Sequence, residues 1–162
     1  MTRRDRAIVH DEPLSDERLE IIQRETFNYF WRETNPGNGL IPDNTLKAGD
    51  PASIAGVGLA LSTYPVGVER GFVDRAQAIE RTLATLRFFW NSPQSADTDA
   101  TGYRGFYYHF LDTKTGRRAW MCELSTIDTA ILIAGALSAA AYFDGAGPAE
   151  REIRDLADRL YR

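Results

Sequence analysis

Apolar residues return at helical spacing in several blocks, and turn residues separate the blocks. Leu19, Ile22, Thr26 and Phe30 predict a first helix. Ser15 is placed to cap it, and Asp16 and Glu17 fall in the first turn, where the helix dipole favours negative charge. Asn35-Pro36-Gly37-Asn38-Gly39 ends it. Asp50-Pro51 predicts the opening of a second helix, with proline at the first helical position. Its body, Ile54 to Leu61, is apolar on most faces. Gly56 and Gly58 there lack the preceding strand and third glycine of a phosphate loop, and suit close helix packing instead. A third helix begins at Asp74, with Gln77 completing a capping box, and carries Ile79, Leu83, Leu86 and Trp90. The run from Thr129 to Phe143 predicts a fourth helix with almost no polar face. Gly145 to Pro148 breaks it, and Pro148 opens a fifth with Ile153, Leu156 and Leu160.

Between the third and fourth helices the pattern changes. Residues 91–105 read as a polar loop, and Gly105 to Leu111 is aromatic and strand-like. Asp112 to Gly116 is a turn, with Arg117 to Met121 as the returning strand, so a short β-hairpin is expected near 105–121. The fifth helix runs to Tyr161-Arg162 without a glycine cap or breaker, which suggests a portion of a longer fold. The second and fourth helices, apolar nearly all round, need neighbours on several sides. Exposed apolar surface is therefore expected, covered by a C-terminal half or by self-association.

Composition narrows the function classes. The chain has 162 residues, 43% of them apolar, enough for one domain with a real core. Net charge is −4, from 19 basic and 23 acidic residues, and no basic stripe points to nucleic acid. Residues 1–14, with Arg3, Arg4, Arg6 and His10, read as a flexible tail, and 15–162 as the folded unit. Ala7-Ile8-Val9 is too short for a signal peptide, so a cytoplasmic location is the default expectation. The Thr129–Phe143 run falls short of the roughly 20 residues that span a bilayer. Cys122 is the single cysteine, which excludes a disulfide framework. No metal-ligand spacing or nucleotide loop is present, so no cofactor is expected. His109 has no second histidine near it and reads as structural.

An ordered series of motifs adds to this. Tyr29-Phe30-Trp31 is followed by Asn35 to Asp43 (NPGNGLIPD) and Ala52 to Gly58 (ASIAGVG). Glu69-Arg70-Gly71-Phe72, Gly105 to Asp112 (GFYYHFLD) and Glu123 to Ala130 (ELSTIDTA) come after. The series resembles the glucoamylase-like domain family, which also occurs within cyclic β-1,2-glucan synthases, and covers Leu19 to Arg162. The resemblance implies a mainly α fold, part of an (α/α)6 toroid of helical hairpins around a cleft. It implies action on a glucan or oligosaccharide, possibly β-1,2-linked, by hydrolysis or transfer. This chain would supply only the N-terminal portion.

Glycoside cleavage needs two carboxyl groups across the scissile bond, one of them with a raised pKa. Glu123 stands beside Trp120 and Cys122 ahead of an apolar helix, a setting expected to keep it protonated. Asp128 fits a capping box with Ser125, which alone would account for it. The resemblance gives the acid in this first turn a second reading, facing substrate. Asp128 is the first catalytic candidate and Glu123 the second, though Glu123 reads equally as a surface carboxylate in a loop. Asp43 is either a turn residue or a sugar-hydroxyl acceptor at the cleft rim. Tyr107, Tyr108 and Trp120 are either core aromatics or sugar platforms. Arg104 is either a surface ion-pair partner or a hydrogen-bond donor to sugar hydroxyls or to a catalytic carboxylate. The alternative for the whole chain is a helical domain that binds sugar or protein without turnover.

Overall fold

The computed structural model describes residues 15–47 and 49–162, so the expected tail, with Arg3, Arg4, Arg6 and His10, lies outside the described residues. Among the described residues five helices alternate in direction: α1 (Asp16–Arg32), α2 (Ile54–Glu69), α3 (Arg75–Asn91), α4 (Thr126–Tyr142) and α5 (Pro148–Tyr161). Five short strands complete the fold: β1 (Ala52–Ser53), β2 (Gly102–Tyr103), β3 (Phe106–Tyr108), β4 (Phe110–Leu111) and β5 (Leu124–Ser125). The expected mainly helical fold with a small β insertion is present.

Helices α2 and α4 run parallel and form the centre. Near their starts, Gly58 lies against the backbone of Ile131 and Leu132. At their far ends the Tyr142 hydroxyl donates to Glu69 Oε1 at 2.6 Å. Helix α1 packs antiparallel on α2, with Phe27 against Gly67 and Trp31 edge-on to Tyr64. Helices α3 and α5 run parallel to each other. Arg75 meets Glu150 at 2.9 Å at one end, and the Arg159 guanidinium lies 5.6 Å from the Trp90 ring at the other. The core between these layers is Leu61, Tyr64, Leu86, Phe89, Leu132, Phe143 and Ile153, all essentially inaccessible to water.

The local signals for α3 and α5 act as read. Asp74 and Gln77 exchange both bonds of the capping box, and Pro148 opens α5. Two elements differ from expectation. Helix α2 starts at Ile54 rather than at Pro51, because Ala52 and Ser53 are held as a strand against Leu111 and Phe110. In α1 the buried residue is Phe27, while Leu19 and Ile22 face solvent.

The β insertion is also rearranged. The two-residue turn Arg104-Gly105, with φ of 52° and 85°, joins β2 to β3 as a tight hairpin. Positive φ at both positions matches the right-handed twist of the strands. The expected return strand over 117–121 reduces to one bridge, Leu111 to Arg118. Trp120 and Met121 take φ of 54° and 53°, which ends strand geometry there. The second partner of β3 is β5, directly ahead of α4.

Apolar side chains remain on the outside of the central pair, as the sequence suggested. Leu59, Val66, Ile127 and Leu137 are exposed on α2 and α4. No helix among the described residues is long and apolar enough to cross a membrane.

Candidate active site

The strand pairings bring the starts of α2 and α4 to one rim, and His109 sits between them. It follows β3 and precedes β4. Its N–H donates to the Glu123 carbonyl at 3.0 Å, and its carbonyl accepts from the Ile54 N–H at 3.1 Å. The backbone of this one residue therefore links the segment ahead of α4 to the first residue of α2.

The side chains converge at the same place. His109 Nδ1 is 2.7 Å from Glu123 Oε1, and Nε2 is 3.7 Å from Asp128 Oδ2. The imidazole stacks on Phe110, with ring centres 3.9 Å apart and planes 17° from parallel. Ser125 caps α4: its Oγ accepts from the Asp128 N–H at 3.2 Å and donates to Asp128 Oδ2 at 2.5 Å. Asp128 thus belongs to the capping arrangement and also faces the imidazole.

The two carboxylates differ in setting. The Asp128 side chain is 15% exposed and that of Glu123 is 67% exposed. The expectation that Glu123 is kept protonated is corrected. Its own backbone N–H, and then the hydrogen bond with His109, hold its carboxyl below the usual range. Trp120 does not enclose it, since the indole is 68% exposed.

An aromatic run leads outward from the carboxylates. The Trp120 ring packs at 5.2 Å on Phe110, on which His109 is stacked. The segment carrying Trp120 is fixed by Arg118, whose Nε donates to the Cys122 carbonyl at 2.6 Å and whose Nη2 donates to that of Met121 at 2.9 Å. The same guanidinium covers the Tyr108 ring at 4.1 Å, so one face of that ring is taken. Cys122, half-buried, has its Sγ accepting the Phe110 N–H at 3.2 Å, a structural contact.

Three other candidates lie elsewhere. Tyr107 is only 4% exposed, and its hydroxyl donates to the Phe89 carbonyl at 2.9 Å. Burial pushes its pKa up to about 12. The sugar-platform reading of Tyr107 is therefore corrected: no ring face is open, and the residue is core. Arg104 is in the exposed hairpin turn, its guanidinium over Tyr103 at 5.1 Å. With Phe106, Ala130, Leu137 and Tyr161 it lines a separate open groove. Asp43 is exposed ahead of α2, its N–H donating to the Pro51 carbonyl at 2.9 Å. It sits close enough to Tyr29 to help raise that hydroxyl's pKa, after the larger effect of burial.

His109 is the residue that sequence reasoning missed as part of the site. Its role depends on β3 pairing with β5 across a gap of sequence, and no local motif marks that pairing. Among the described residues no group of three His, Cys, Asp or Glu is arranged to hold a metal ion.

No protein-family model matches the chain. It is 28% identical, over 93% of its length, to an exo β-1,2-glucooligosaccharide sophorohydrolase (non-reducing end) of Parabacteroides distasonis. It spans 20% of that relative. Its fold matches a provisionally assigned glucoamylase of Bacteroides uniformis with a TM-score of 0.79 and 33% identity, covering 93% of this chain and 36% of that one. A β-1,2-glucanase of Parabacteroides distasonis matches with a TM-score of 0.79 and 26% identity, over 92% of this chain and 21% of that one. By sequence and by fold, the chain is thus a relative of the glucoamylase-like and β-1,2-glucanase proteins and corresponds to one part of their length.

Proposed function

We propose that residues 15–162 form the N-terminal portion of a glucan-active glycoside hydrolase domain, with β-1,2-linked glucan as the substrate class. In this reading α2 and α4 are inner helices of an (α/α)6 toroid, and α1, α3 and α5 belong to its outer ring. The parallel central pair with both N-termini at one rim supports it. So do the unpartnered apolar side chains on that pair, and relatives whose names specify β-1,2-glucan substrates.

The single observation that carries the reading is the meeting of Asp128, Glu123 and His109 at the shared rim, with the exposed Trp120 beside them. Asp128 is the catalytic carboxylate in this reading. It is held at a helix start and partly shielded, and it acts on the glycosidic oxygen or on water. Trp120 gives its apolar ring to a pyranose face and Tyr108 its hydroxyl to a sugar further along, while Asp43 and Arg104, away from the carboxylates, are left out of this path. Glu123, ionised and open to solvent, does not supply the protonated acid. The partner acid across the scissile bond then comes from another part of the toroid.

The test uses the full chain as its gene encodes it, with β-1,2-glucooligosaccharides and with starch. Cleavage of the β-1,2 substrate, reduced about 100-fold or more in Asp128→Asn, is the expected result. Full activity of that variant on every glucan cleaved would remove Asp128 from catalysis. One observation favours a second reading, sugar binding without turnover. The open, ionised Glu123 provides no acid, so this chain alone would bind the oligosaccharides and cleave none.

A further inference from the structure

His109 is held more completely than a structural histidine needs. Its backbone is bonded on both sides, its ring plane is set by Phe110, and each ring nitrogen faces a different carboxylate. At 2.7 Å, Glu123 Oε1 is a hydrogen-bond acceptor for Nδ1, which places the ring proton on Nδ1 in the neutral imidazole. The lone pair on Nε2 is then turned toward Asp128 Oδ2 at 3.7 Å. Two lone pairs facing each other repel, so this approach is favourable with a donor between them, a proton or a water. The Ser125 hydroxyl already donates to that same Oδ2. The one side-chain hydrogen bond to this carboxylate and the approach of Nε2 thus both fall on Oδ2, and among the described residues Oδ1 has no hydrogen-bond partner.

We propose that His109 is a positioning residue for Asp128, fixed as the Nδ1–H tautomer by Glu123 and used to leave Oδ1 as the oxygen that meets substrate. This deepens the hydrolase reading and rests on it. Glu123 is then neither acid nor nucleophile; it orients the imidazole. The charged and titratable groups facing the ring are Glu123 ahead of β5 and Asp128 on α4, with Arg118 beside Glu123.

Two measurements test the proposal, one of them independent of activity. In ¹⁵N-labelled chain, well above neutral pH, long-range proton–nitrogen spectra read the tautomer of each of the two histidines in the sequence. His109→Gln assigns the signals by deletion. An Nδ1–H ring at His109 that reverts toward Nε2–H in Glu123→Ala is the expected result. An Nε2–H ring in the unaltered chain, or one indifferent to Glu123→Ala, overturns the proposal.

The second measurement is kinetic. Glutamine at 109 can reach the Nε2 position, whereas asparagine reaches only the Nδ1 position. His109→Asn is expected to lower kcat by about ten- to a hundredfold with KM nearly unchanged, as a small displacement of a reacting group does. His109→Gln is expected to recover a substantial part. Equal losses in the two variants, or wild-type kcat in His109→Asn, overturn the positioning role. Circular dichroism of each variant separates this from misfolding. If the wild type cleaves no glucan, the hydrolase reading fails, and the tautomer measurement alone decides the positioning claim.

Discussion

Gly58 and Gly135 face each other where α2 and α4 pack. A Cβ on Gly135 would run into the Gly58 carbonyl, and one on Gly58 would come 2.5 Å from the Ile131 oxygen. In both cases the obstacle is backbone, which cannot rotate away. Gly135→Ala is therefore expected to destabilise the chain by about 1–3 kcal/mol. Alanine's better helix propensity does not offset this. Chemical denaturation of the two proteins side by side checks it, and an unchanged midpoint would mean that the helices are not in this contact.

Tyr107 provides a second test, of core against site. Its hydroxyl donates to the Phe89 carbonyl inside the protein. Tyr107→Phe removes that bond and leaves the carbonyl to the Ser92 hydroxyl alone, which donates to it at 2.9 Å, so the expected cost is about 0.5–1.5 kcal/mol of stability. Oligosaccharide affinity should not change. A fall in affinity with stability intact would return Tyr107 to the binding surface.

Trp120 behaves in the opposite way. The indole is exposed, so Trp120→Ala is expected to move stability by less than about 0.5 kcal/mol. The loss of an aromatic face should weaken oligosaccharide binding roughly three- to tenfold. Titration calorimetry with a β-1,2-linked trisaccharide reads the effect. Equal affinities would remove Trp120 from the sugar path.

The pairing of α3 with α5 sets a pH dependence. Glu150 accepts from Arg75 Nε at 3.1 Å and Nη2 at 2.9 Å, and from the Gly145 N–H at 2.6 Å. These bonds, the Arg75 one foremost, hold its carboxyl below its ordinary value of 4.5. A depressed folded pKa stabilises above the unfolded value, and that stability is lost as pH falls through the folded one. Stability should therefore drop on acidification below about 4.5. In Glu150→Gln the neutral-pH stability should be lower and the acid drop shallower. Urea midpoints across that range, for both proteins, decide it.

How much the sequence reveals depends on how local each determinant is. The capping box at Asp74 and Gln77, the proline that opens α5 and the Ser125–Asp128 cap each lie within one helical turn, and all are readable. The start of α2 is not, because Ala52 and Ser53 are drawn into a strand by residues nearly sixty positions later. Alternation within β3 separates Tyr107 from Phe106 and Tyr108. Which side faces inward is settled by Phe89 on α3, whose ring centre lies 4.9 Å from that of Tyr107 and whose carbonyl accepts the Tyr107 hydroxyl. The His109–Glu123 contact depends on the same long-range register. The candidate acids could be named in advance, but the imidazole that faces both could not.

The consecutive left-handed residues Trp120 and Met121 have a consequence of their own. A bulky side chain in that backbone region costs roughly 1–2 kcal/mol, which glycine or asparagine would largely avoid. The expense sits at the molecule's edge rather than in its interior, and Arg118 clamps it in place. If Trp120 meets sugar as proposed, a shape held ready beforehand need not be assembled when a visiting chain arrives, which lowers the entropy lost in that encounter.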